Sequence, residues 1–196
     1  MERLKEAAEE AIKILHDAEL RRERTVRCSR DIIRETKKMI HAIHVSEDCG
    51  GSRAALEKLV SELNAGSGSD PHAVYAGPAD DALAEYAEAM ILDSVIIGKG
   101  VPSFGDLGIG PGPWVMGLAD CLGEMRRVVL TSLMSGDVTR AVALFSEMED
   151  ISHLIMMFDV PDQIVPIRRK QDIARGVMER TRADVANSVM MSKMKI

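Results

Sequence analysis

Apolar positions recur along this chain at spacings of three and four and never alternate for long, so the pattern predicts helices from end to end. From Glu2 to about Val45 there is no Pro or Gly. That stretch reads as one very long helix or two nearly continuous ones, roughly 60 Å long at ~1.5 Å per residue. After Cys49-Gly50-Gly51 a shorter helix is predicted from Ala54 to Leu63, then a Gly, Ser and Pro loop from Asn64 to Pro78 with at most a short helical turn. The helical period resumes over 79–97, with Asp80 or Asp81 placed to cap its start and Gly98 to stop it. Residues 98–113 hold six Gly and three Pro and are expected to form an irregular, mobile connector. Further helices are predicted from Trp114 to about Ser135, from Val138 to Phe158 after the Ser135-Gly136-Asp137 break, and from about Ile167 to Met191 beyond Pro161 and Pro166. The expectation is an all-α bundle of about seven helices with a long N-terminal helix, in a single domain spanning 1–196.

Composition agrees with helix-on-helix packing, because aromatics are only 3% while Ala, Leu, Ile, Val and 13 Met dominate a 46% hydrophobic chain. Cys28, Cys49 and Cys121 form no C-x-x-C pair, which points to reduced thiols rather than a disulfide framework or a zinc site. No uncharged run approaches the ~20 residues of a membrane span and the charged MERLKEAAEE start lacks a signal-peptide core, so the chain reads as soluble and cytoplasmic.

Candidate chemistry begins with carboxylates in unusual places. Asp120 and Glu124 stand one helical turn apart inside the apolar run GLADCLGEMRR. Glu85 and Glu88, in EYAEAM, fall within a ~100° sector together with Leu92, Val95 and Ile96, so the glutamate face becomes a buried stripe one turn later. Acids on apolar helix faces are costly unless cations meet them. If the two helices pack together, four hard oxygen donors would suit Mg²⁺ or Mn²⁺, an ion able to polarise a phosphoryl oxygen and acidify a bound water. Gly117, on the same side as Asp120 and Glu124, would let another helix approach closely. An ordinary pair also accounts for Glu124, since Arg127 lies at i+3. No Glu-x-x-His motif follows, which disfavours di-iron chemistry, and neither a nucleophile elbow nor a phosphate-loop signature is present.

Charge adds a second feature. The net charge of −6 disfavours a generic nucleic-acid coat, yet residues 21–38 carry eight Arg or Lys against three acids. Arg27, Arg30, Arg34, Lys37, His41 and His44 follow at spacings of 3, 4, 3, 4 and 3, and so stack into one stripe, with Cys28, Ile32, Met39 and Ile43 on the other side. The stripe suits either a solvated face, with Asp31 and Glu35 as intrahelical partners, or a track for a single-stranded phosphate backbone.

The segments VRCSRDIIRETKKMIHAIH, EYAEAM and GLADCLGEMRRVVLTSLMSGD resemble those of the translin family, and its TRAX (translin-associated factor X) branch more than translin itself. The resemblance implies an all-α fold of roughly seven helices, assembly into hollow octamers, and binding of single-stranded RNA and DNA. TRAX proteins act with translin as a Mg²⁺-dependent endoribonuclease on single-stranded RNA, and that resemblance places the acidic active-site residues on Glu85, Glu88, Asp120 and Glu124. In a nuclease reading the basic stripe supplies Arg27, Arg30, Arg34 and Lys37 to steer the phosphate backbone, with Arg127 as the cation for transition-state charge. The compact connector before Trp114 departs from the longer TRAX insertions, so assembly of this chain with itself is expected as much as with a translin-like partner. Two alternatives stand beside the nuclease: a non-catalytic single-stranded nucleic-acid-binding subunit and a purely structural helical assembly subunit.

Overall fold

The computed structural model of the chain describes residues 1–66 and 76–194. Six helices account for nearly all of them: α1 Glu2–His44, α2 Gly50–Gly66, α3 Ala76–Ile96, α4 Pro111–Met134, α5 Val138–Met156 and α6 Arg168–Met194. No strand occurs among the described residues, and the helix number there is six rather than about seven. The N-terminal stretch is one unbroken helix. Most of the loop expected over 64–78 falls on residues 67–75, outside the described residues; of its flanks, 64–66 extend α2 and 76–78 open α3.

Local chemistry explains where the helices start and stop. At the head of α2 the Asp48 carboxylate accepts from the Gly50 N–H at 3.2 Å, which starts that helix four residues before the apolar pattern does. α4 also starts early, because a proline in its first turn presets the helical φ and has no N–H to leave unsatisfied. Asp137 caps α5, its carboxylate accepting from the Arg140 N–H at 2.9 Å. α3 ends as expected at Gly98, whose φ of 76° reverses the chain while its N–H reaches the Val95 carbonyl.

α1, α3 and α4 form the spine: α3 lies between α1 and α4, α2 covers α1 at one end, and α5 and α6 pack on α4 and on each other. Ile32 and Met39 of α1, Ile91 and Leu92 of α3, Leu118, Leu122 and Met125 of α4 and Met148, Ile151 and Ile155 of α5 are fully buried. Burying each such side chain contributes roughly 1.5–3 kcal/mol. Residues 2–20 of α1 are exposed apart from a half-buried Ala18, and from Arg21 onward the helix runs beside α2, where Arg21 and Arg24 border a cavity with Leu59, Glu62 and Leu63.

Of the 98–113 connector, 98–110 is irregular, as expected, while 111–113 already belong to α4, and the irregular part is packed against the body. Leu107 and Ile109 are buried, the Trp114 indole N–H donates to the Pro102 carbonyl at 2.9 Å, and the Asn64 amide donates to the Gly108 carbonyl at 2.8 Å. Two apolar side chains and a tryptophan anchor, hidden among the glycines, hold it down. No helix among the described residues is long and apolar enough to cross a membrane.

Candidate carboxylate site and basic track

The close approach of α4 to α3 builds the site. A Cβ at Gly117 would stand 2.4 Å from the Ala84 carbonyl oxygen, 2.6 Å from the Ala87 Cβ and 2.8 Å from the Glu88 nitrogen. Only glycine permits that backbone contact, and one turn further along α4 it sets Asp120 beside Glu85 and Glu88. Electrostatics reports the proximity. Burial, then the charges of Asp120, Glu85 and Glu124, push the Glu88 carboxyl up to about 8 against a partial offset from Lys170. Glu85 is raised as well, first by burial, with Lys37 and Lys170 opposing the effect of Asp120 and Asp81. All four predicted carboxylates therefore lie along the α3–α4 contact, near enough for the charges of Asp120, Glu85 and Glu124 to act on Glu88.

Two partners there went unassigned in the sequence. Lys170, in the first turn of α6, donates to both carboxylate oxygens of Asp120. His44, the last residue of α1 and nearly fully buried, brings Nε2 to within 2.5 Å of the Glu124 carboxylate. Arg127 also reaches Glu124, at 3.8 Å, from an exposed position. The sequence held a hint of Lys170: a cation in a helix's first turn opposes the macrodipole and needs a compensating anion. His44 stood in the basic stripe, with nothing to show which carboxylate it would meet. Beneath the acids the Cys121 thiol is fully buried and held protonated by that burial, reinforced by the neighbouring carboxylate charges.

The four side chains are hard oxygen donors of the kind a divalent cation takes, and burial first, then the neighbouring acids, keeps Glu88 from ionising in the usual range. In detail Asp120 and Glu124 face Lys170 and His44, and no three His, Cys, Asp or Glu side chains among the described residues are gathered closely enough to hold an ion as they stand.

The stripe on α1 is exposed from Arg27 to His41 and ends at this site with the buried His44 side chain. Arg27, Arg30, Arg34 and Lys37 lie away from the face that buries Ser29, Ile32 and Thr36. Part of its charge is answered within the helix, by Arg34 to Asp31 at 2.7 Å, while the adjacent Lys38 pairs with Glu35 at 2.8 Å. An open hollow of about 510 Å³ beside it is lined by Arg22, Arg27, Arg30 and Arg34 with Val26 and the acids Glu23 and Asp31. At the far end Lys37 is close enough to lower Glu85, and His44 meets Glu124. Cationic row and acidic pocket are thus continuous.

No family model matches the sequence. The uncharacterized protein MJ0175 of Methanocaldococcus jannaschii is 29% identical over 175 residues, which cover 89% of this chain and 79% of that protein. Among solved structures, AfC3PO in complex with duplex RNA matches at a TM-score of 0.87 and 30% identity, over 94% of this chain and 97% of that one. AfC3PO alone matches at 0.86 and 30%, over 94% and 98%. Apo-NeC3PO, at 18% identity and a TM-score of 0.82 over 92% and 96%, shares the fold. With 30% of its residues identical along nearly the full length of AfC3PO, and the same arrangement of helices, this chain belongs to the C3PO/translin family.

Proposed function

We propose that the chain is a metal-dependent endoribonuclease of the TRAX kind, cleaving single-stranded RNA from within a homo-oligomeric, octamer-like shell. The observation that supports this reading is the glycine contact that brings α4 against α3 beside Glu88, whose carboxyl is raised by burial and by the charges of Asp120, Glu85 and Glu124. Glu85, Glu88, Asp120 and Glu124 would hold Mg²⁺ or Mn²⁺, which when bound supplies a polarised phosphoryl oxygen and a water of lowered pKa. Lys170 and His44 hold Asp120 and Glu124 in the pocket by charge-assisted hydrogen bonds. Arg27, Arg30, Arg34 and Lys37 bind successive phosphates and lead the strand toward the acids. Arg127, exposed at the rim beside Glu124, is placed to offset charge that develops on the phosphoryl group.

AfC3PO has been captured with duplex RNA, so both strand states belong in the test. End-labelled single-stranded and duplex RNA are incubated with Mg²⁺, with Mn²⁺ and with EDTA, beside the Glu88→Gln and Asp120→Asn proteins. Internal cuts that require metal and vanish in both variants, with RNA retention unchanged, are expected. Cleavage by Asp120→Asn at the wild-type rate would refute the site assignment.

A second reading, a non-catalytic subunit that binds single-stranded RNA or DNA, is favoured by the fact that Asp120 and Glu124 already have Lys170 and His44 as partners. It predicts salt-dependent binding with no metal-dependent product. A translin-like partner that completes the shell would then be required for cutting.

A further inference from the structure

We propose that a hydroxyl-lined pocket beside the carboxylate site binds a ribose of the RNA strand and, through its 2′-hydroxyl, sets RNA apart from DNA. The proposal rests on the reading of the acids as the cleavage site, and names the part of a neighbouring nucleotide that the chain recognises.

The pocket lies among the ends of α1 and α3, the second half of α4 and the head of α5, and has a volume of about 210 Å³. Two features tie it to the acids. His44, whose Nε2 meets Glu124, also lines the pocket. On α4, Glu124, Val128, Thr131 and Ser135 follow at spacings of 4, 3 and 4, so the acidic face of that helix continues as the pocket wall. A strand that tracks the basic stripe of α1 and passes the acids reaches this pocket next.

The observation that points to a ligand is Ser132. The residue is 6% exposed and lines the pocket, yet its hydroxyl has no hydrogen-bond partner among the described residues. A hydroxyl so little open to water gains from a group that enters and bonds to it. Ser46 supplies another. Its φ of 58° is a left-handed turn that glycine takes at less cost, and serine there adds a hydroxyl to the lining. Arg140 lines the exposed edge, and its guanidinium makes no ion pair or hydrogen bond among the described residues.

The lining chemistry selects the occupant. Thr131 and Ser135 already donate their hydroxyl hydrogens, to the Arg127 carbonyl at 3.0 Å and the Ser132 carbonyl at 2.9 Å, so both present oxygens that accept. The Asp137 carboxylate is a third acceptor. A phosphate only accepts, and these three oxygens oppose it. A base calls for a stacking ring, and no aromatic residue lines the pocket. A ribose matches the set. Its hydroxyls can donate to the three acceptors and accept from Ser132 and Ser46, while Ile43, Ile96 and Val128 offer an apolar wall to its C–H groups. Arg140, at the edge, is left for the phosphate that the ribose carries. The 2′-hydroxyl, donor and acceptor at once, is the group that DNA lacks.

Fluorescence anisotropy in EDTA, with one single-stranded RNA and the DNA of the same sequence, tests the pocket without cleavage. Wild type is expected to hold the RNA on the order of 3- to 10-fold more tightly, the size of one hydrogen bond gained. Ser132→Ala removes only the unpartnered hydroxyl, and should lose most of that preference while leaving the DNA affinity as it was. Ser46→Gly, which suits the left-handed backbone and so keeps the fold, should act in the same direction. Arg140→Ala should weaken both strands alike. Helical circular dichroism is the folding control. Cleavage with Mg²⁺ of the same RNA, carrying one 2′-deoxy position at a time, then locates the ribose. Cutting should fall several-fold when the deoxy position stands at one fixed offset from the cut, and Ser132→Ala should cut that strand and the unmodified RNA equally. An RNA preference that survives both serine variants, or an equal loss on RNA and DNA in Ser132→Ala, would overturn the pocket. Cuts that no 2′-deoxy position affects would overturn it and leave the nuclease reading standing. A serine-dependent RNA preference without metal-dependent cuts would keep the pocket and overturn that reading instead.

Discussion

Replacing Glu88 by glutamine should stabilise this protein, and do so only above mildly acidic pH. In the fold the Glu88 carboxyl titrates near 8, raised by burial and then by Asp120, Glu85 and Glu124, whereas in the unfolded chain it lies near the ordinary 4.5. A carboxyl whose folded pKa is raised makes the native state bind the extra proton, so its contribution is most favourable below about pH 4.5 and declines as pH rises toward 8. The decline is about 1.4 kcal/mol per pH unit, which amounts to on the order of 3 to 4 kcal/mol at pH 7. Glutamine keeps the shape and never ionises. The assay is urea unfolding of both proteins in EDTA at pH 5, 6, 7 and 8, at one fixed protein concentration because association shifts apparent stability. The variant should match wild type within ~1 kcal/mol at pH 5, gain steadily to pH 8, and level off beyond. A stability difference that is constant over this range would show that Glu88 does not sit among mutually repelling carboxylates, and the site as described would fall. Addition of Mg²⁺ should narrow the gap by stabilising wild type alone.

Three other outcomes follow from the same geometry. Gly117→Ala forces a Cβ into the Ala84 carbonyl at 2.4 Å, so α4 must back away from α3; a loss of about 1–3 kcal/mol in thermal or urea unfolding is expected, and the proposed nuclease activity should fall further than stability predicts because Asp120 moves with the helix. Lys170→Met leaves the half-buried Asp120 without its cation and should cost about 1 kcal/mol, while raising the Glu88 carboxyl still further, a change readable by carboxyl titration in ¹³C NMR. Arg30→Glu with Arg34→Glu should weaken RNA retention and lower the slope of log affinity against log salt by about 0.7 for each lost phosphate contact, with the carboxylate site and the fold unchanged.

What the sequence determined alone is the set of periodic features. A helix repeats every 3.6 residues, so the basic stripe of α1, the glutamate face that runs into Leu92 and Val95, and the pairing of Asp120 with Glu124 could all be read without a structure. Gly117 was legible too, as a small residue on the acidic side of its helix. Boundaries were less so: Pro111 and Asp48 start helices earlier than apolar spacing alone places them, and Leu107 and Ile109 hold down a connector whose glycines suggest motion. The tertiary structure decided which residues meet across helices. Lys170 lies fifty positions from Asp120 and His44 eighty from Glu124, and no local period relates them. The height of the Glu88 pKa was also beyond the sequence, because it depends on how much water the α3–α4 contact excludes and on three charges brought in by packing. Periodicity places side chains on faces; only the packing of one face on another sets the distances, and those distances decide the electrostatics of this site.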